Sequence, residues 1–179
     1  MSIQERLANV KKKHVNMSSR MHGNTTMHAP HSPEHLSALF TEFTASLYVL
    51  AIKLKGFHWN IIGDQFFPVH VLLDKQVDSL LGFADSSAEL IRQINKAPAP
   101  VSMLSMVDDS FIKEVKITKL VRAEQILPVI VTDYTTMIAF CEKVIKCADK
   151  SDRQDLSDFA IGVRQYLDKY KWQFDSANK

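Results

Sequence analysis

Apolar residues recur at three-and-four spacing in long blocks along this chain, and no alternating stretch predicts a strand. In the first block Leu36, Leu39, Phe40, Phe43, Leu47, Leu50, Ala51 and Leu54 repeat over about five turns. Ser32 is placed to cap this helix, with Pro33 at its first position and Gly63 as its stop. Asp64 is the expected cap of a second helix, which tolerates Pro68 in a first turn whose backbone donors are unpaired anyway. That helix is expected to run to about Asn95, where the Ala-Pro-Ala-Pro at 97–100 ends it. A long connection follows over about 98–121, with a short helix expected at 101–110. A third helix is expected over about 122–149, with Pro128 near its start or kinking it. A fourth covers about 152–176, with Leu156, Phe159, Ala160, Val163, Leu167 and Tyr170 on one face.

This pattern predicts an all-α fold. Four amphipathic helices joined by one long crossover match a ferritin-like bundle better than a simple up-and-down bundle. A four-helix bundle without any site has the same composition, so composition alone does not decide. The length, 179 residues, suits one domain. Five Gly and six Pro exclude collagen-like and Pro/Gly-rich chains. Cys141 and Cys147 are too few for a disulfide scaffold and lack Cys-x-x-Cys spacing, which suits a reducing, cytoplasmic setting. No uninterrupted apolar run approaches the length of a membrane span, and the first fifteen residues lack the apolar stretch of a secretory signal. No membrane partner is therefore expected.

Charge is unevenly distributed behind a net +2. Residues 1–33 hold Arg6, Lys11, Lys12, Lys13 and Arg20 against Glu5, a net +4, while 34–179 hold 17 basic and 19 acidic residues, a net −2. The first segment is polar and weakly periodic, so 1–33 reads as a flexible basic, His-rich tail and 34–179 as the bundle domain. The tail is a solvated terminus, a basic arm for phosphate backbones or a metal lure. His14, His22, His28, His31 and His35 motivate the last, with zinc or iron as the ion, although their spacing is irregular.

The second helix carries candidate chemistry. At 100° per residue, Asp74, Asp78, Asp85 and Glu89 lie about 40°, 80°, 60° and 100° round the helix from His70. A carboxylate stripe is ordinarily a solvated face. The positions between, Val71, Leu72, Leu73, Val77, Leu80, Leu81 and Phe83, are so apolar that little of this helix is expected to meet bulk water. His58 and Trp59 fall near His70 if the first two helices form an antiparallel hairpin. Carboxylates with one or two imidazoles suit iron, with open positions for dioxygen or peroxide. The His70/Asp74 and Asp85/Glu89 pairs are about 22 Å apart along the axis, so one ion cannot bind both within one chain. A second copy of the helix, antiparallel about a two-fold near Ser79 and Leu80, would bring each pair to its complement. An intrachain di-iron site would need Glu-x-x-His on two helices, and the sequence has none.

The stretch His-Trp-Asn-x-x-Gly-x5-Val-His-x3-Asp at 58–74, followed by Asp-x3-Glu at 85–89, resembles the Dps proteins, or miniferritins. Lys55 and Leu-Asp-Lys-Tyr-Lys-Trp at 167–172 add to the likeness, which covers about 34–176. The resemblance implies a dodecameric hollow shell with ferroxidase centres at two-fold interfaces. It assigns His58, His70 and Asp74 to one subunit of each centre and Asp85 and Glu89 to its neighbour. It implies oxidation of Fe(II), generally by hydrogen peroxide, and storage of the ferric mineral. Trp59 stands beside the ligand histidine, either as an electron or radical sink or as packing.

The likeness has departures. Leu90 stands where the family usually has Arg after the glutamate, so that ion pair is missing or moved to Arg92. Small Ala84 precedes Asp85, and Asp78 is an extra acid on the ligand face. Asp149, Asp152, Asp155 and Asp158 cluster where the third helix passes to the fourth, where family members line three-fold pores for Fe(II); a solvated, capped turn is the alternative. Members that bind DNA often use a Lys/Arg-rich terminus, so Arg6, Lys11, Lys12, Lys13 and Arg20 become candidates for nonspecific DNA contact, with nucleoid association. The competing function is a DNA-compacting structural shell with a vestigial metal site.

Overall fold

The computed structural model describes residues 29, 31–95 and 99–177. Candidate residues Arg6, Lys11, Lys12, Lys13, Arg20, His14, His22 and His28 lie outside them. Helix α1 spans Pro33–Asn60. Ser32 caps it, its side chain accepting from the His35 backbone N–H at 3.2 Å, and Pro33 sits where no donor is needed. Every apolar position expected on its inner face is buried. By length and composition α1 could span a bilayer, but 67% of its most apolar window is buried inside the bundle, as in a soluble core helix.

The helix stops three residues short of Gly63. The chain instead runs extended through Ile61–Ile62 (β1), pairing in parallel with Val121–Arg122 (β2). A two-residue strand has no alternation to read, which is why the pattern predicts no strand. Gly63 then turns the chain at φ +99°, a conformation that suits glycine. Its carbonyl, rather than the Asp64 position expected to cap, opens the next helix by accepting from the Phe66 N–H at 2.9 Å. Helix α2 covers Phe66–Asn95, so it begins two residues after that expected cap.

Helix α3, Met103–Asp109, is capped by a reciprocal Ser102–Ser105 box and lies in the crossover. Helix α4 spans Ala123–Lys150 and carries Pro128 in its second turn. Helix α5, Gln154–Ala177, returns after a turn in which Asp152 takes φ +53°. α1 packs chiefly on α2 and α4 on α5, and the two hairpins close around Phe40, Phe43, Leu50, Leu80, Tyr134 and Leu167. Inside, Tyr134 donates to Gln76 Oε1 at 2.9 Å and Thr44 to Ser87 at 2.8 Å, satisfying polar groups that burial would otherwise penalise. Lys53 of α1 reaches Asp133 of α4 at 2.6 Å and donates to the Lys113 carbonyl of the crossover at 2.9 Å. One ammonium thereby ties two helices and the crossover together.

Candidate metal centre

The antiparallel α1–α2 hairpin brings His58 and His70 into contact. Their rings stack with centroids 3.7 Å apart and planes 20° from parallel. Each ring also reaches the other residue's backbone: His58 Nδ1 lies 3.0 Å from the His70 carbonyl oxygen, and His70 Nδ1 2.9 Å from that of His58. A carbonyl only accepts, so each Nδ1 must carry the proton and donate it. In the neutral rings Nε2 is then the lone-pair nitrogen on both residues, the tautomer a metal ligand needs.

Asp74 stands one turn beyond His70, half-buried, with Oδ1 3.8 Å from His58 Nε2. Lys55 of α1 pairs with that same Oδ1. The Lys55 hydrogen bond holds the Asp74 carboxyl below the usual carboxylate range, keeping it ionised. Phe66 closes the other side of His70, its ring centroid 4.8 Å away. Lys55 enters the sequence reading only through the family likeness, and Phe66 is not among the expected site residues. Helical spacing points to both, since Lys55 precedes His58 by three residues and Phe66 precedes His70 by four.

The other candidates are dispersed. Asp78, Asp85 and Glu89 are exposed along α2, contrary to the expectation that little of this helix meets water. The apolar positions between them turn toward the core, and nothing among the described residues of the same chain covers the acid stripe. Asp85 is eleven residues from Asp74 on a continuous helix, about 16 Å. Among the described residues of one chain, no three His, Cys, Asp or Glu side chains are grouped to hold a metal ion. Leu90 packs against the core and offers Glu89 no charge. Trp59 faces away from the histidine pair: it is 69% exposed and lines a groove of about 650 Å³ with Ile52, Met103 and Val107.

Asp149, Asp152, Asp155 and Asp158 are all exposed at the α4–α5 corner. Arg153 grips Asp155 through two bonds of 2.8 and 2.6 Å and holds its carboxyl below the usual range. That engagement sets Asp155 apart from the other three. His31 and His35 pack edge to face, 6.5 Å apart, in a pocket also lined by Lys143, Lys146 and Lys150, surroundings that oppose a cation.

Residues 38–178 match the sequence model of the ferritin-like domain. DNA protection during starvation protein 2 of Bacillus anthracis is 31% identical over 124 residues, covering 69% of this chain and 83% of that protein. The chain belongs to the Dps family. Within that family, the DNA protection during starvation protein of Brevibacillus brevis is 24% identical over 141 residues, covering 79% of this chain and 93% of that protein. The fold is that of Dps from Staphylococcus aureus, which superposes with a TM-score of 0.78 at 24% identity, covering 83% of this chain and 97% of that one. The architecture is thus ferritin-like and all-α, with the short α3 in the crossover.

Proposed function

We propose that this Dps-family chain oxidises Fe(II) with hydrogen peroxide at centres shared between two subunits and stores the ferric product inside a dodecameric shell. The observation that carries this reading is the reciprocal His58–His70 clasp, which engages both Nδ1 atoms with backbone carbonyls and leaves the two Nε2 atoms as the nitrogens available to an ion beside an ionised Asp74. In this reading one subunit supplies His58, His70 and Asp74. A second copy, antiparallel along α2, supplies Asp85 and Glu89, which one chain leaves exposed and about 16 Å from Asp74. Exposed Phe66, Phe67 and Val71 beside the site support coverage of this face by another copy.

Iron is the substrate. Hard carboxylates with two imidazoles suit ferrous ions while leaving positions for the oxidant. Holding two ferrous ions together lets peroxide take both electrons at once. Two Fe(II), one hydrogen peroxide and two protons give two Fe(III) and two waters, and no one-electron hydroxyl radical is released. The backbone carbonyls fix both rings, so the nitrogens need no reorientation when an ion arrives. Asp78, Asp149, Asp152 and Asp158 supply accessible negative charge for drawing in Fe(II).

Removing the peroxide–iron pair is what would protect DNA in the cytoplasm. In this reading the basic residues Arg6, Lys11, Lys12, Lys13 and Arg20 serve as an arm that holds nucleic acid without base readout, ahead of a bundle that already includes His31, Ser32 and Pro33. The deciding experiment compares Fe(II) oxidation by the intact protein and by His58→Ala/His70→Ala. Loss of peroxide-dependent oxidation in an assembled variant is expected. Equal rates would sink the site and leave the second reading, a DNA-compacting shell, for which Lys55 occupying Asp74 is the favouring observation.

A further inference from the structure

We propose that Phe66 is a positioning residue for the metal centre: its ring covers the outer face of His70 and holds that imidazole in the plane from which Nε2 meets an ion. The inference rests on the reading of His58 and His70 as ligands. It adds a residue that touches a ligand ring without touching metal. The two histidines are not held alike. His58 is buried inside the hairpin, whereas His70 is only half-buried near the start of α2. The His58 carbonyl engages His70 at Nδ1, and a single hydrogen bond fixes one atom of a ring rather than its plane. His58 stacks on one face of that ring, with centroids 3.7 Å apart. With that face taken, the His70 ring can tip only outward, and Phe66 stands there. Its centroid lies 4.8 Å away with the planes 32° apart, the range of an offset ring contact.

Phe66 does little for the core. It is 42% exposed and stands outside the buried cluster, and among the described residues its ring pairs with His70 alone. Phe67, the next residue, is 73% exposed and belongs to no ring pair among the described residues. Phe66 is itself pinned through its backbone. Its N–H donates to the Gly63 carbonyl at 2.9 Å, and Gly63 holds φ +99°. The Arg122 guanidinium packs over that glycine so closely that a Cβ there would meet Nη1 at 3.0 Å. Arg122 belongs to β2, which pairs with β1 in the stretch between the two histidines. The start of α4 thereby fixes the turn, the turn fixes Phe66, and Phe66 fixes the plane of His70.

The test uses the full-length, assembled protein with nitrogen-labelled histidine and makes two measurements at one pH. Without metal, the His70 ring nitrogens, assigned by difference from His70→Ala, should show one tautomer with its proton on Nδ1. Phe66→Leu keeps apolar bulk without the flat ring and should give mixed or exchange-broadened His70 signals. Phe66→Tyr should restore the single form. With Co(II) as the probe, Phe66→Leu should bind about 10-fold or more weakly with shifted visible bands, the scale for a group that orients a metal-ligating imidazole. Phe66→Tyr should again restore both, and Phe67→Ala should match the wild type throughout. A Phe66→Leu protein with the wild-type His70 signal overturns the proposal whatever its Co(II) affinity, which then reports subunit contact. Equal losses in Phe67→Ala overturn it too. A wild-type Co(II) spectrum that survives His58→Ala/His70→Ala removes the ligand reading and the proposal together. A failure confined to the Phe66 variants overturns the proposal alone and leaves the ligand reading standing.

Discussion

Lys53 and Lys55 stand two residues apart on α1, and each pairs with an aspartate from another helix, yet the two pairs do different work. Lys53 and Asp133 are enclosed, with side chains 6% and 12% exposed, and burial pushes the Asp133 carboxyl up despite the ammonium beside it. Lys55 and Asp74 are only half-buried, and there the hydrogen bond dominates and the carboxyl goes down. The same chemical pair is thus a strut where water is excluded and an adjustable holder where water enters. Desolvation sets the direction, and the position round the helix sets the desolvation.

Breaking the buried pair should have the largest effect. Lys53→Met leaves Asp133 without its cation and should cost about 3–5 kcal/mol in denaturant unfolding, whereas Lys53→Met/Asp133→Leu should recover most of it. The pH dependence follows from the raised Asp133 carboxyl. A group that binds its proton more readily in the fold than in the unfolded chain favours the fold at low pH, and that contribution is lost as pH rises through the folded value. The Lys53→Met deficit should therefore shrink as pH falls from 7 toward 4, and a deficit constant over that range would refute the assignment.

Opening the half-buried pair should leave unfolding nearly unchanged and act on iron instead. In Lys55→Met the Asp74 carboxyl returns toward its ordinary range, so the acid limb of Fe(II) binding should move to higher pH. An unmoved limb in a Fe(II) titration would separate Lys55 from the site. The smallest effect should come from a pair as open as Lys55–Asp74 but remote from the site. Arg153→Gln, which frees Asp155 at the α4–α5 corner, should shift stability by no more than about 0.5 kcal/mol.

The four long helices were legible because their apolar positions face a core that the chain itself supplies, whereas the short α3 buries none of its residues. Ser32 and Pro33 announced the α1 start for the same local reason. The β1–β2 contact was not legible, since its hydrogen bonds join Ile61 to Val121 across the bundle. Lys53–Asp133 was hidden likewise, because each residue alone looks like an ordinary surface charge. At the site, spacing placed His58 near His70, but the carbonyl clasp depends on how closely two backbones approach. The acid stripe on α2 misled in one respect. Its apolar neighbours turn inward, leaving Asp78, Asp85 and Glu89 exposed.

Cys141 and Cys147, both free and buried, bear on how long such a protein lasts. Burial pushes the Cys141 thiol up to about 12 and raises that of Cys147. Because the thiolate is the form that peroxide attacks, only on the order of one Cys141 in 10⁵ is vulnerable at neutral pH. If the chain consumes peroxide as proposed, these two thiols are kept out of that reaction by their own burial, and the oxidant spent on iron is not also spent on them.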